Sequence, residues 1–68
     1  MKRGFNRREA AEYVGVSARK FDELVQTGRM PNPRMIDRRT VYDRHEIDDA
    51  FDLLPRQEDE YQKWLNSH

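Results

Sequence analysis

The chain has 68 residues, with 13 Lys+Arg against 13 Asp+Glu, no cysteine, 35% hydrophobic residues and 38% charged ones. So short and polar a chain closes one thin core without a deep substrate cavity, and without cysteine it makes neither disulfides nor thiolate zinc sites. No apolar run reaches the roughly 18 residues of a membrane span, and the opening MKRGFNRRE lacks the apolar stretch of a signal peptide.

Three helix starts share one device, an apolar residue before a capping residue with its apolar partner five positions on. Phe5 precedes Asn6 and pairs with Ala10; Val16 precedes Ser17 and pairs with Phe21; Tyr42 precedes Asp43 and pairs with Ile47. Asn6 and Asp43 each have a glutamate three residues later, Glu9 and Glu46, which predicts a capping box at both. Ser17 has Lys20 there instead.

The first helix is expected over residues 7–14, with Ala10, Ala11 and Val14 as its apolar side and Gly15 as its stop. The second runs from Ala18 to about Thr27. Its Phe21, Leu24 and Val25 have the i, i+3, i+4 spacing of a buried stripe, and Gly28 closes it. Two short helices joined by Gly15-Val16-Ser17 make a helix-turn-helix candidate.

Pro31 and Pro33 then forbid helix and extend the chain. Arg34-Met35-Ile36 and Thr40-Val41-Tyr42 flank Asp37-Arg38-Arg39, which predicts a β-hairpin with arginines at its tip. Asp37 tolerates the left-handed conformation that such a turn asks for. The third helix is expected from Arg44 to Leu54, with Ile47, Ala50, Phe51 and Leu54 as its core stripe and Pro55 as its end. A domain over residues 1–54 thus precedes a tail over 55–68. In the tail Glu58, Asp59 and Glu60 suit the first turn of a short fourth helix, and Tyr61, Trp64 and Leu65 form its stripe. A helix of that length is marginal alone and needs a surface to pack on.

The neutral total hides an asymmetry. Residues 1–42 hold ten basic and five acidic side chains, while residues 43–68 hold three basic and eight acidic ones. A front of +5 and a back of −5 point to a polyanion partner for the front. Catalysis finds no support: there is no GxSxG, P-loop or HExxH, and His45 and His68 stand far apart. No spacing offers the three or four ligands of a metal site, so no cofactor and no small-molecule substrate are expected.

A helix that reads a DNA major groove keeps one face for its own core and offers long hydrogen-bonding side chains near its start. The second helix has that layout. Phe21, Leu24 and Val25 face inward, and Ser17, Ala18, Arg19, Lys20 and Glu23 are the candidate DNA-facing residues. Arg19 suits a guanine edge, Lys20 a base or a phosphate, and Glu23 a cytosine amino group or a surface pair with Lys20 or Arg19. Arg34, Arg38, Arg39 and Thr40 add a second basic element, able to follow a phosphate line or enter the minor groove.

These residues resemble a known family. The run Arg8-Glu9-Ala10-Ala11-Glu12-Tyr13-Val14-Gly15-Val16-Ser17-Ala18-Arg19 is similar to the opening of small MerR-like DNA-binding proteins, the excisionase and AlpA-type regulators of phages and integrative elements. Gly28-Arg29-Met30-Pro31 resembles their exit from the second helix. Arg38-Arg39, Tyr42 and Glu46-Ile47-Asp48 resemble their basic wing, aromatic anchor and third helix. The resemblance covers about residues 5–54. It departs at Asp37, where the family usually has Gly, and at Lys20-Phe21-Asp22-Glu23, where the family is more basic.

The resemblance implies a winged helix-turn-helix, mainly α with a small β-hairpin wing, in a cytoplasmic, nucleoid-associated bacterial protein. As an excisionase it would bind repeated double-stranded sites and shape them for a tyrosine- or serine-type integrase. As an AlpA-type regulator it would switch integrase or excision genes. The excisionase reading is favoured slightly, because the chain ends just past the DNA-binding unit. The opposite charges of front and back suit head-to-tail self-association on DNA, with Tyr61, Trp64 and Leu65 as anchor. A reading of another class makes the protein an interaction module that docks a partner through this tail.

Overall fold

Asn6 opens the first helix as its capping pattern requires. Its side chain accepts from the Glu9 amide at 2.8 Å, and Glu9 Oε1 accepts from the Asn6 amide at 2.9 Å. The resulting helix α1 (Arg7–Val14) stops at Gly15, whose φ of 95° only glycine adopts without cost. Val16 and Ser17 complete the turn into α2 (Ala18–Gln26), and Ser17 Oγ caps that helix by accepting from the Lys20 amide at 3.1 Å. Helix α2 closes on Thr27, one residue earlier than its apolar pattern suggests.

The computed structural model describes residues 1–56 and 64–66. They form a small mixed α/β domain of three helices and a three-stranded antiparallel sheet. Strands β1 (Gly4–Phe5), β2 (Arg34–Ile36) and β3 (Arg39–Asp43) lie in the order β1-β3-β2. The hairpin is β2 with β3, paired Arg34↔Val41, Met35↔Thr40 and Ile36↔Arg39 around the two-residue loop Asp37-Arg38; Arg39, expected in the turn, pairs with Ile36 and opens the second strand instead. Asp37 takes the left-handed φ of 56°.

Strand β1 is the correction to a two-stranded expectation. It pairs Gly4↔Asp43 and Phe5↔Tyr42, and so ties the N-terminus to the strand that leads into α3 (Arg44–Asp52). A Cβ on Gly4 would come within 2.6 Å of Val41 Cγ1, so the close approach of these strands requires glycine.

The core lies between the helices and one face of the sheet. Phe5, Ala10, Ala11, Phe21, Leu24, Met30, Tyr42 and Ile47 are buried in it, and Phe21 meets Tyr42 edge-on at 4.9 Å. Met30 enters because the Arg29 and Met30 amides both donate to Leu24 O, which folds the proline-rich linker back over α2.

Helix α3 differs from its expected form in three respects. It ends at Asp52 rather than Leu54, two residues before the expected end ahead of Pro55. Phe51, expected in the core stripe, is 52% exposed. No capping box forms at Asp43: its carboxylate accepts from the His45 amide at 3.1 Å, while Glu46 turns to Arg34. Of the expected fourth helix, residues 64–66 are helical, with Trp64 and Leu65 exposed; Glu58, Asp59, Glu60 and Tyr61 lie outside the described residues. No helix among the described residues is long and apolar enough to cross a membrane.

Candidate nucleic-acid interface

The capped turn before α2 fixes which side chains leave the surface. With Phe21 fully buried and Leu24 nearly so, helical geometry turns Arg19, Lys20 and Glu23 to solvent. Lys20 Nζ pairs with Glu23 Oε2 at 3.2 Å, the surface pair anticipated for Glu23. Arg19 is exposed and has no ion pair among the described residues. Ala18 packs partly against the core, so its side chain serves the fold as much as the surface.

Asp22, the other carboxylate of α2, belongs to the helix pair. Arg7 on α1 donates to both its oxygens, with contacts of 2.7 to 3.0 Å. That hydrogen bond, with the guanidinium charge behind it, holds the Asp22 carboxyl below the usual carboxylate range. Asp22 is therefore an internally neutralised group.

The hairpin supplies a second basic group. Arg38, Arg39 and Thr40 are exposed at its far end, and neither arginine has an ion pair among the described residues. Arg34, at its near end, is bound by Glu46 of α3 through contacts of 3.0 and 3.2 Å. A concavity of about 490 Å³ brings Arg38, Arg39 and Thr40 together with Lys2, Asn6 and Glu9 at the start of α1. The Ser17–Glu23 surface of α2 lines no part of it. The structure thus presents two separate basic elements, one on α2 and one between the hairpin and the N-terminus.

Lys2 was not among the sequence candidates. Strand β1 carries it there, and it forms an ion pair with Glu9. Arg8 is a second omission: it is exposed on α1 without an ion pair among the described residues. The excess charge of the front half is therefore concentrated on Arg8, Arg19, Arg29, Arg38 and Arg39, because Lys2, Arg3, Arg7, Lys20 and Arg34 all face carboxylates. A count of charges along the chain reveals the excess but not its partition.

Other polar contacts hold the scaffold. Arg3 binds Asp43 at 3.1 and 3.3 Å, and this hydrogen bond with the His45 amide keeps the Asp43 carboxyl below its ordinary range. Tyr13 of α1 donates to Asp48 of α3 at 2.7 Å, which raises the phenol's pKa. Among the described residues no group of three His, Cys, Asp or Glu could hold a metal ion.

Comparison with protein-family models, with curated proteins and with solved structures returned no match to this chain.

Proposed function

We propose that this protein is a winged helix-turn-helix DNA-binding protein without catalytic activity. In this reading α2 is the recognition helix and the β2–β3 hairpin is the wing. One observation carries it: Arg8 on α1, Arg19 on α2, Arg29 just after it and Arg38 and Arg39 in the hairpin are exposed and have no ion pair among the described residues, whereas Arg44 at the start of α3 is partly buried beside His45. Arg19 takes a guanine edge in the major groove, Lys20 a phosphate or a base, and Arg38 and Arg39 the phosphates beside the wing. Lys2 extends the wing contact along the same strand.

The sequence resemblance makes the role that of an excisionase, which binds repeated sites beside an attachment site and acts with an integrase. Regulation of integrase genes by the same contacts is the second role. Copies on adjacent repeats meet basic front to acidic back, with the tail as the anchor. A module that docks proteins is the reading from another class, and the exposure of Phe51 and of Leu53, at 86%, favours it.

The test is the affinity for a mixed-sequence duplex as a function of salt. Four phosphate-neutralising side chains give log K against log salt a slope of about −3 to −4. A docking module gives no duplex binding to weaken.

A further inference from the structure

Strand β2 is an edge. The order β1-β3-β2 leaves its far side without a neighbouring strand, and none of its residues is buried. Met35 and Ile36 on it are 62% and 59% exposed. Both line one open concavity of about 790 Å³, together with Gly4, Val41 and the charged Arg3, Arg34 and Asp43. An exposed apolar edge is a template for another strand, because its outward backbone groups lack partners.

The pairing register identifies those groups. Ile36 and Arg39 flank the two-residue loop and exchange hydrogen bonds; by antiparallel alternation Arg34 and Val41 do so too, and Met35 and Thr40 do not. On the other side of β3 the Arg44 amide donates to Arg3 O at 2.8 Å, which fits the same alternation. The N–H and C=O of Met35 therefore point away from the sheet. No turn, loop or cap hydrogen bond among the described residues uses them. Two residues earlier Pro33 has a carbonyl but no N–H, and two residues later the left-handed Asp37 ends the strand. The edge thus offers one complete residue, too little for a long partner strand to follow.

A second copy of the chain uses all of it. Across a two-fold axis at Met35, the two Met35 residues exchange both hydrogen bonds and their side chains meet on one face. On the other face Ile36 of each copy opposes Arg34 of the other, and so extends the concavity. Each Arg34 is already paired with its own Glu46, so the join brings no bare charges together. Arg38 lies three residues from the axis, so the two copies hold theirs about 20 Å apart, beyond the screening length of roughly 8–10 Å. We infer that the protein forms a weak two-fold dimer through strand β2, centred on Met35. The pairing consumes the edge and closes at two copies. It differs from the head-to-tail contact between repeats and uses another face. Its consequence for DNA rests on the DNA-binding reading above: two copies of α2 related by a two-fold axis match an inverted repeat.

Sedimentation and amide hydrogen exchange over a concentration series, without DNA, test it. Between about 20 μM and about 1 mM the mass rises toward twice that of the monomer, and exchange at the Met35 amide slows about fivefold. The Arg34 and Ile36 amides, already bonded within the hairpin, change less. Met35→Lys keeps those two protected yet stays monomeric, because a charge on an edge strand blocks pairing. If that variant disturbs the hairpin, Ile36→Thr carries the comparison and weakens self-association about tenfold. A monomer at every concentration overturns the dimer. So does a dimer in which Met35 exchange is unchanged, or one that both variants leave intact. These results leave the DNA-binding reading standing. A dimer that forms as described while no duplex binds upholds the join and overturns the DNA-binding reading alone.

Discussion

Arg34 and Glu46 bind each other side-on, Nε to Oε1 at 3.0 Å and Nη2 to Oε2 at 3.2 Å, and so join the start of the hairpin to the first turn of α3. In sequence each suggests another task, Arg34 a phosphate contact and Glu46 a capping box. Their pairing leaves the cap to Asp43 alone and ties the hairpin to α3. Both side chains keep substantial contact with water, so the pair matters more for geometry than for stability.

Arg34→Ala is therefore expected to weaken DNA binding through the placement of the wing. Its salt slope stays at the wild-type value, whereas Arg38→Ala flattens the slope by about 0.9. Parallel titrations over a salt series make the comparison. Equal flattening by both variants would put Arg34 on a phosphate.

Phe21 supports α2 from beneath. It is fully buried and meets Tyr42 at an interplanar angle of 83°. Phe21→Ala removes an aromatic ring from a very small core and is expected to cost about 3–5 kcal/mol in urea denaturation. A variant that melts like the parent would mean that α2 does not depend on this contact.

Three carboxyls have folded-state pKa values below the ordinary range. Asp43 is lowered by Arg3 and the His45 amide, Asp22 by Arg7, and Glu9 by the Asn6 amide and then Lys2. A carboxyl lowered in this way favours the fold fully above its unfolded value, about 4, and the contribution is lost as pH falls through the folded value. The melting temperature is expected to change little between about pH 7 and 5 and to fall progressively below about pH 4. Asp43→Asn should lower stability at neutral pH and make the acid limb shallower. An acid limb of unchanged steepness would remove Asp43 from this account.

Arg19 is the one side chain of α2 that combines full charge, exposure and no ion pair among the described residues. Arg19→Ala is expected to relax preference at one base pair by about 1–3 kcal/mol, as for loss of a two-pronged guanine contact. Competition among duplexes that differ at single positions measures this. A loss equal on every duplex would make Arg19 a phosphate contact.

What the sequence reveals follows the range of the interactions. Helix starts are set by groups two or three residues apart, so Asn6, Ser17 and Asp43 mark them and α1 has its expected limits. The hairpin is also local, down to the left-handed Asp37. Strand β1 is not. Two residues have no period, and the partners of Gly4 and Phe5 lie at Asp43 and Tyr42. Met30 is hidden for the same reason, since its burial depends on a backbone reversal onto Leu24 and not on a periodic pattern. Phe51 keeps its place in the helical stripe yet stays half exposed, because α3 runs past the edge of so small a core. At the candidate interface residue types and helix faces are legible. The pairing of Arg7 with Asp22 and of Arg34 with Glu46 crosses between elements, and it decides which arginines keep their charge for a partner.

The most direct measurement is a map of backbone amide shifts during titration with a short duplex at low salt. The account predicts shifts concentrated at Ser17–Glu23, at Asp37–Thr40 and at the N-terminus around Lys2, with Asp48–Phe51 of α3 nearly still. Shifts confined to Asp48–Leu54, or none at saturating duplex, would contradict it.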